Sequence, residues 1–180
     1  MAPDEVAIKS RAITNGDALD SAITGYRDGT NRIYGLAGND YLYGGALADT
    51  LDGGVGNDSN FFDRSFGIDT IADYETAANS DSIGIGGSIA SSQLWFTKTN
   101  SDLQIRVIGT GDQITVKNWY SSTAYQAEQI KASDNKVLVS NKVDSLVQAM
   151  AAFTPPPLGQ TTLPANYQSS VNASLAASWQ

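Results

Sequence analysis

Carboxylate side chains recur at a constant interval in one glycine-rich stretch of the chain, at Asp40, Asp49 and Asp58. Each lies in a nine-residue unit that opens with glycine, and three such units follow one another without a gap between 35 and 61. Carboxylates and backbone carbonyls are hard oxygen donors, the ligands that Ca²⁺ prefers. Three tandem copies in one register are very improbable by chance, so the pattern predicts a repeated calcium site.

The same units predict the structure that positions those carboxylates. Glycine adopts positive φ at little cost and lets backbone carbonyls approach a guest ion closely. Leu42 and Leu51 each stand at the centre of a three-residue segment, two positions after an aspartate. Such a segment is a short strand with one inward-facing side chain. Glycine turns and short strands are therefore expected to alternate along the stretch.

The three units resemble the haemolysin-type calcium-binding repeats of the RTX (repeats-in-toxin) family, whose motif is Gly-Gly-x-Gly-x-Asp-x-apolar-x. The resemblance implies an all-β protein built on a parallel β-roll, the RTX solenoid, in which two nonapeptides make one full turn. Calcium ions then lie between turns that stack on the same side of the roll. Since each Ca²⁺ takes about 6–8 oxygens, we expect roughly two to four ions.

The resemblance also implies which residues bind the ions. Asp40 and Asp58 are expected to share one ion, and Asp49 is expected to pair with the turn that ends at Asn31 and with Asp69. Backbone carbonyls complete the expected ligand set, at Gly35, Ala37, Gly44, Gly45, Ala46, Gly53 and Val55. The cofactor is thus expected to be Ca²⁺, and no catalytic residue is predicted.

The units depart from the motif at three positions. Leu36 and Leu47 stand where the motif has glycine, and the turn at Leu47 is expected to be the least regular. Asn60 occupies the apolar position of the third unit. The inward face is expected to shift there to Phe61 or Phe62.

The apolar spacing continues outside the clean units. Ile13, Ile23 and Ile33 precede Leu42 at intervals of nine or ten residues, which predicts degenerate turns of the same solenoid. Downstream, the phrase at 67–71 repeats Gly-x-Asp-x-apolar after an insertion. Terminal repeats are atypical because they cap the stack. Ordinary loops rich in glycine and aspartate are the alternative for these flanks.

Composition excludes several classes of protein. The 180 residues carry a net charge of −8 with a pI near 4.3, which argues against binding nucleic acid through a basic patch. The absence of cysteine and histidine from the sequence excludes a disulfide framework and the usual zinc ligands. No segment has the length of apolar sequence that a transmembrane helix needs. The first residues lack the basic and apolar regions of a cleavable signal peptide.

A second β-rich segment follows the repeats. Apolar residues alternate at 94–96, 103–107 and 114–116, which predicts half-buried strands. The phrase at 101–120 resembles the region that follows RTX repeats in some large secreted bacterial proteins. Trp95 and Trp119 could form a ligand platform, but buried core positions are favoured.

The last segments are expected to be one helix and a tail. Val143, Leu146 and Met150 lie on one face of an amphipathic helix with Asn141 as its N-cap. No charged residue follows Asp144. Such a tail is either frayed or an uncleaved C-terminal signal for type I secretion, of the kind that the resemblance implies. If it packs into the core instead, Leu175 and Trp179 are the expected anchors.

These patterns predict a β-roll with a β-rich C-terminal cap and one short amphipathic helix. The expected division is degenerate N-terminal rungs at 1–24, a calcium-binding roll at 25–85, a post-repeat cap at 86–140, a capping helix at 141–153 and a tail at 154–180. The predicted function is a secreted, extracellular Ca²⁺-dependent folding module that supports type I secretion of a larger RTX protein. The alternatives are an adhesin-like binding module and a small hydrolase using the pair Asp69 and Asp73.

Overall fold

The computed structural model describes residues 12–180, which form thirteen strands and two α-helices. The strands are β1 (Ala12–Asn15), β2 (Ala22–Thr24), β3 (Asn31–Ala37), β4 (Tyr41–Tyr43), β5 (Thr50–Val55), β6 (Ser59–Phe62), β7 (Ile68–Ile71), β8 (Ser82–Ile85), β9 (Leu94–Thr99), β10 (Asp102–Val107), β11 (Gln113–Val116), β12 (Gln129–Lys131) and β13 (Val137–Val139). The helices are α1 (Ser140–Met150) and α2 (Ala165–Ser178). We call β1–β8 the roll, and β9–β13 with the two helices the cap.

Two sheets form the walls of the roll. One has the order β1-β3-β5-β7-β11-β10-β9, and the other has the order β2-β4-β6-β8-β12-β13. Within the roll, consecutive strands therefore enter opposite sheets, and every pair of neighbouring strands in a sheet is parallel. Arg32 pairs with Thr50 and Tyr41 with Ser59, each 18 residues further along the chain. One full turn is two nonapeptides, and the predicted parallel β-roll is confirmed.

The inward side chains of the short strands form the core between the two sheets. Ile33, Leu42 and Leu51 are completely buried. The predicted degenerate turns belong to the roll, since β1 pairs with β3 and β2 with β4, but Ile13 does not face the core and is 66% exposed. Its neighbour Thr14 pairs in register with Ile33, so a one-residue offset turns Ile13 to the outside.

Asn60 keeps the inward position of the third unit despite its polar side chain. It pairs with Leu42 on one side and Ile83 on the other, and it is 1% exposed. The next inward residue is Phe62, also buried, whereas Phe61 lies outside with its ring 5.6 Å from that of Tyr41. The expected shift of the inward face to Phe61 is therefore wrong. Pairing with both neighbouring strands holds the register, since a slip would turn every side chain of β6 over.

The cap continues both sheets and then reverses their direction. β11 pairs with β7 and β12 with β8 in parallel, after which β10, β9 and β13 run antiparallel. The cap thereby covers the sheet edges that the last turn of the roll would otherwise expose. Trp95 and Trp119 are each 1% exposed, so both are core residues, as favoured from the sequence.

Helix α1 differs in detail from the predicted capping helix. It spans Ser140–Met150 rather than 141–153, and its N-cap is Val139, which makes no side-chain capping bond. The expected N-cap Asn141 is therefore wrong, because β13 runs directly into the first turn and Asn141 is already helical. The predicted apolar face is present, since Val143, Leu146 and Met150 are buried.

The C-terminal segment is ordered, and the expectation of a single helix is wrong. Helix α2 packs against α1 and buries Val171 and Leu175. Trp179 forms a bridge with Leu138, and the backbones of Val137 and Gln180 exchange two hydrogen bonds of 2.9 Å. Leu175 and Trp179, 8% and 6% exposed, are the anchors expected for a packed tail. Among the described residues, no helix is long and apolar enough to cross a membrane.

Asn60→Leu should stabilise the protein. The amide oxygen of Asn60 is buried and has no hydrogen-bond partner within residues 12–180. Such a group costs about 1–3 kcal/mol, and leucine has nearly the same shape. Urea denaturation at saturating calcium should therefore show a higher midpoint for the variant. Asn60→Ala is the control, because it removes the amide but leaves a space. A lower midpoint for Asn60→Leu than for the wild type would contradict the account.

Candidate metal centre

Aspartate side chains are stacked in a column at each of two corners of the roll. The first column contains Asp40, Asp58 and Asp81. Asp58 accepts the Asp40 N–H on Oδ1 at 2.7 Å, and Asp81 accepts the Asp58 N–H in the same way at 2.8 Å. The Asp40 Oδ1 in turn accepts the Ser21 N–H at 2.8 Å. Each carboxylate is thereby fixed to the backbone of the turn before it.

The second column, at the opposite corner, contains Asn31, Asp49 and Asp69. The Asp49 Oδ1 accepts the Asn31 N–H at 2.6 Å, and the Asp69 Oδ1 accepts the Asp49 N–H at 2.8 Å. Both columns use the same carboxylate-to-backbone bond between successive turns. The structure therefore separates Asp49 from Asp40 and Asp58, although all three are equally spaced in sequence.

The second carboxylate oxygen of each repeat aspartate has no hydrogen-bond partner in the described part of the chain. The Oδ2 atoms of Asp40, Asp49, Asp58 and Asp69 are buried and make no hydrogen bond to any atom of residues 12–180. All four residues are at most 2% exposed. A buried anionic oxygen without a partner is strongly unfavourable, and a coordinated cation is one of the few groups that satisfies it. These residues thus fit a hard metal ion.

Burial also disturbs the ionisation of these carboxylates. Burial raises the pKa of Asp69 to about 8 and that of Asp58 to about 6, although a backbone N–H donated to each opposes the rise. Neighbouring carboxylates add to both shifts, among them Asp49 near Asp69. Within residues 12–180 the ion pairs are Lys117 with Asp102 and Lys136 with Asp134, so no column aspartate has a basic partner.

The first glycine of each unit makes room for the carboxylate of its own turn. A Cβ atom on Gly35 would overlap the Asp40 Oδ2 and the carbonyl oxygen of Gly53. A Cβ on Gly53 would overlap the Asp58 Oδ2. The side-chain oxygen and the carbonyl of the following turn therefore approach the same point. Glycine at this position is required by the site and not only by the turn.

The two leucines at glycine positions keep the backbone of glycine. Leu36 has φ +80° and Leu47 has φ +82°, close to Gly54 at +89°. A residue with a Cβ is strained in this left-handed region. The backbone at Leu47 therefore has the same positive-φ conformation as the glycine at this position, because the turns stacked on both sides determine its path.

The carbonyl groups expected as calcium ligands differ in what they contact. The carbonyls of Gly35, Gly44 and Gly53 face the first glycine of the preceding turn, at Gly16, Gly25 and Gly35. The Gly53 carbonyl lies there beside the Asp40 carboxylate, whereas the Gly44 carbonyl accepts the Asn31 amide at 3.0 Å. The Val55 carbonyl already accepts the Gly38 N–H at 3.0 Å. The remaining expected carbonyls lie in the same turns, at Ala37, Gly45 and Ala46.

Asn31 occupies its corner differently from the expected ligand. Its Nδ2 donates to the Asp49 Oδ1 at 2.8 Å and to the carbonyls of Tyr26, Gly29 and Gly44 at 3.0–3.1 Å. Its Oδ1 accepts the Tyr26 N–H at 2.8 Å. The Asn31 oxygen is thus already occupied, and the expectation that Asn31 offers it to an ion is not met by this geometry. The amide hydrogens lie among oxygen atoms, where a cation would lie in a comparable turn.

Other acidic residues lie near the first column but were not predicted, because they fall outside the nine-residue spacing. Asp81 follows Asp58 by 23 residues because the connection between β7 and β8 is longer than a nonapeptide turn. Asp73 lies in the same connection, at the opposite end of β7 from Asp69. The pair Asp69 and Asp73, considered from sequence as a hydrolase pair, is therefore not brought together. The acidic composition of 69–81 was the available signal for these residues.

Comparison with known families identifies the repeats and the segment after them. Residues 27–59 match the model of the RTX calcium-binding nonapeptide repeat in four copies. Residues 102–141 match the haemolysin-type calcium binding protein related domain. The chain thus contains RTX repeats followed by that related domain, and calcium is the ion that such repeats bind.

Two solved structures are similar to parts of the chain. One is the AlgE6R3 subunit of the mannuronan C5-epimerase from Azotobacter vinelandii, with 22% identity, a TM-score of 0.46 and coverage of 73% of this chain and 80% of that one. The other is an extracellular lipase from Serratia marcescens, with 25% identity and a TM-score of 0.33. The match to the lipase covers 57% of this chain and 18% of the lipase.

Asn31→Asp should add a calcium ion to the second column. The substitution replaces the amide donors with a second carboxylate beside Asp49, and a bound cation would offset the repulsion between the two. Native mass spectrometry should detect one more bound calcium than in the wild type, and the calcium-free variant should be less stable.

Asn31→Ala is the matched control, because it removes the amide without adding a charge. It should not gain an ion. An unchanged calcium count in Asn31→Asp would show that the Asn31 amide does not stand in a potential ion site.

Proposed function

We propose that this chain is a calcium-dependent folding module of an RTX protein, which folds on meeting calcium outside the cell. One observation carries the proposal. Four repeat aspartates are held in place by one oxygen while the other, buried, has no partner in residues 12–180. A fold that buries such groups becomes favourable only when a cation joins them.

We assign the ions to the spaces between stacked turns. In the first column, Asp40 and Asp58 share an ion with the carbonyl of Gly53, which approaches the same point as the Asp40 Oδ2. In the second column, Asp49 and Asp69 share an ion, whereas the proposed carbonyl ligands Gly35 and Gly44 face the preceding turns, at Gly16 and Gly25. The remaining proposed carbonyl ligands are Ala37, Gly45, Ala46 and Val55. The 18-residue turn supports this pairing, since it stacks alternate nonapeptides at one corner.

Calcium binding and folding are linked in this proposal. The unfolded chain cannot bring residues from different turns together, so the binding free energy of each site becomes folding free energy. At a calcium concentration of 100 times Kd, one independent site contributes about 2.7 kcal/mol. Without calcium, the glycine-rich turns have high conformational entropy and the column carboxylates repel one another. Several sites acting together make the transition steep.

The calcium dependence suits export in an unfolded state. Extracellular calcium-binding modules have Kd values of roughly 10⁻⁴–10⁻³ M, far above the calcium concentration of a cytosol. The chain would remain unfolded inside the cell, which is the state that a type I secretion channel requires. It would then fold outside the cell. Helix α2, free of charged side chains, is the proposed contact with that machinery.

Circular dichroism should show a cooperative gain of β structure when millimolar Ca²⁺ is added to the chelated protein. Mg²⁺ should substitute poorly, because it needs a smaller octahedral cage and gives up its water reluctantly. The double variant Asp40→Ala and Asp58→Ala should shift the transition to higher calcium. Asp28→Ala, at an exposed position, is the control and should behave like the wild type. Identical spectra with and without calcium would overturn the proposal.

Charged substitutions on the exposed face of α2 should abolish export without preventing folding. Deleting the segment cannot separate the two functions, because Val171 and Trp179 belong to the core. Asn166 and Ala173 are exposed, so Asn166→Lys with Ala173→Lys leaves that packing intact. Export is measured in cells that carry a matched type I system, and folding by calcium titration of the purified variant.

The control for that experiment places equal charge on the other helix. Ser145 and Gln148 are exposed on α1, and Ser145→Lys with Gln148→Lys should be exported normally. If both variants are exported equally well, α2 is not the signal. If the α2 variant fails to fold in calcium, the effect on export is attributed to folding instead.

A further inference from the structure

The connection between β7 and β8 takes the place of a repeat turn at the first column. It spans residues 72–81 and lacks the Gly-Gly-x-Gly-x-Asp motif, but it contains Asp73, Glu75 and Asp81. Carboxylate oxygens of Asp58, Asp73 and Asp81, one from each residue, lie within 4.8 Å of one another. We call these three residues the junction cluster.

Each member of the junction cluster is held by backbone or amide donors. The Asp73 Oδ1 accepts the Gly54 N–H at 3.1 Å and the Tyr74 N–H at 2.9 Å. The Asp81 Oδ1 accepts the Asp58 N–H at 2.8 Å, and its Oδ2 accepts a hydrogen bond from the Asn79 amide at 2.6 Å. Three mutually repelling groups are thus held together by donors from the surrounding chain.

Asp58, which is also assigned to the ion shared with Asp40, gives a second sign that the cluster takes a ligand. Its Oδ1 is committed to the Asp40 N–H, and its Oδ2 has no partner among residues 12–180. The residue is 1% exposed, so water does not compensate the free oxygen. Of the four unpartnered aspartates in the described chain, Asp58 is the one grouped with two further carboxylates.

The surroundings of the cluster are acidic as well. Asp52 is close enough to Asp73 for their carboxyl groups to interact directly. The Glu75 carboxylate accepts the Gly56 N–H at 3.3 Å and the Asn79 amide at 2.9 Å. No lysine or arginine of residues 12–180 forms an ion pair with any of these groups. Five acidic side chains therefore converge without a positive charge from the described part of the protein.

The same connection is bonded to the cap. The Glu75 N–H donates to the Ala124 carbonyl at 3.0 Å, and the Glu128 carboxylate accepts the Asp81 N–H at 2.7 Å. The rings of Tyr74 and Tyr125 lie 4.8 Å apart. Whatever fixes residues 72–81 on the roll therefore also fixes the 122–128 segment of the cap.

We infer that Asp58, Asp73 and Asp81 form a further calcium site that couples the roll to the cap. The inference rests on the proposed calcium-dependent function of the roll, but two of its three residues, Asp73 and Asp81, lie outside the repeats. Carboxylate oxygens at this spacing suit Ca²⁺, which accepts 6–8 oxygen ligands in flexible geometry. The ion offsets the repulsion within the cluster and satisfies the free oxygen of Asp58. Calcium then organises the cap as well as the roll.

The double variant Asp73→Asn and Asp81→Asn tests the site. Each substitution removes a charge but keeps a side-chain oxygen that can accept the backbone N–H. Native mass spectrometry of the calcium-loaded protein should show one bound calcium fewer than in the wild type. Hydrogen exchange in calcium should become faster in 72–81 and 122–128, while 35–58 remains protected. Asp28→Asn is the control and should change neither readout.

The outcomes distinguish this inference from the function of the roll. An unchanged calcium count in the double variant, with a reduced count in Asp49→Ala and Asp69→Ala, overturns the junction site and leaves the roll intact. A wild-type protein that binds no calcium overturns both. If the double variant does not fold, Asp73→Asn alone decides, since its remaining amide oxygen can still accept from Gly54 and Tyr74. Calcium that leaves exchange at 122–128 in the wild type unchanged also overturns the coupling.

Discussion

The hydrogen bond from a backbone N–H to an aspartate Oδ1 in the next turn determines the geometry of the roll. It sets the spacing of the turns at both corners and orients each carboxylate. It also leaves a second oxygen buried without a partner in the described chain, close against the first glycine of the same turn. Alignment and cation affinity therefore come from the same side chain. A fold built on this bond brings negative charges together as it forms, and a bound cation would offset their repulsion.

Asn31 shows what the same corner does with a neutral side chain. Its amide hydrogens contact oxygens of Asp49 and Gly44 that belong to the neighbouring turn. The turn is thereby closed by hydrogen bonds, at the end of the roll where the repeats are degenerate. At the other end, the junction cluster presents three carboxylates to the cap. Carboxylates are thus more densely clustered at the end of the roll that adjoins the segment matching the post-repeat domain.

The cap makes the roll a closed unit rather than an open stack. Both sheets change from parallel to antiparallel pairing beyond β11 and β12, so the last repeat strands, β7 and β8, are not left as sheet edges. The two helices then cover the end of the core through Met150, Val171 and Trp179. A C-terminal segment that packs in this way serves stability and can present only its exposed face to a partner. The face of α2 that packs into the core is therefore separate from the face on which the proposed secretion contact lies.

Local chemistry made the roll predictable from the sequence. The positions of Asp40, Asp49 and Asp58 sufficed for the repeat and the calcium chemistry, because a solenoid repeats the same local contacts in every unit. The turn of two nonapeptides was expected from the resemblance to RTX repeats. The inward positions of Leu42 and Leu51 followed from the same rule. Helix α1 was predictable as well, since its apolar residues recur at helical spacing.

Only the tertiary structure decided the remaining features, which depend on partners distant in sequence. Ile13 faces outward and Asn60 inward because neighbouring strands fix their register. Helix α2 has few apolar residues, and the face that buries Val171 becomes favourable only where the cap receives it. Asp73 and Asp81 fall outside the nine-residue spacing, and a long connection folds them back onto Asp58. Regular spacing along the chain predicts the contacts that every repeat makes. The contacts of these residues depend instead on strand register and on the segments that follow the repeats.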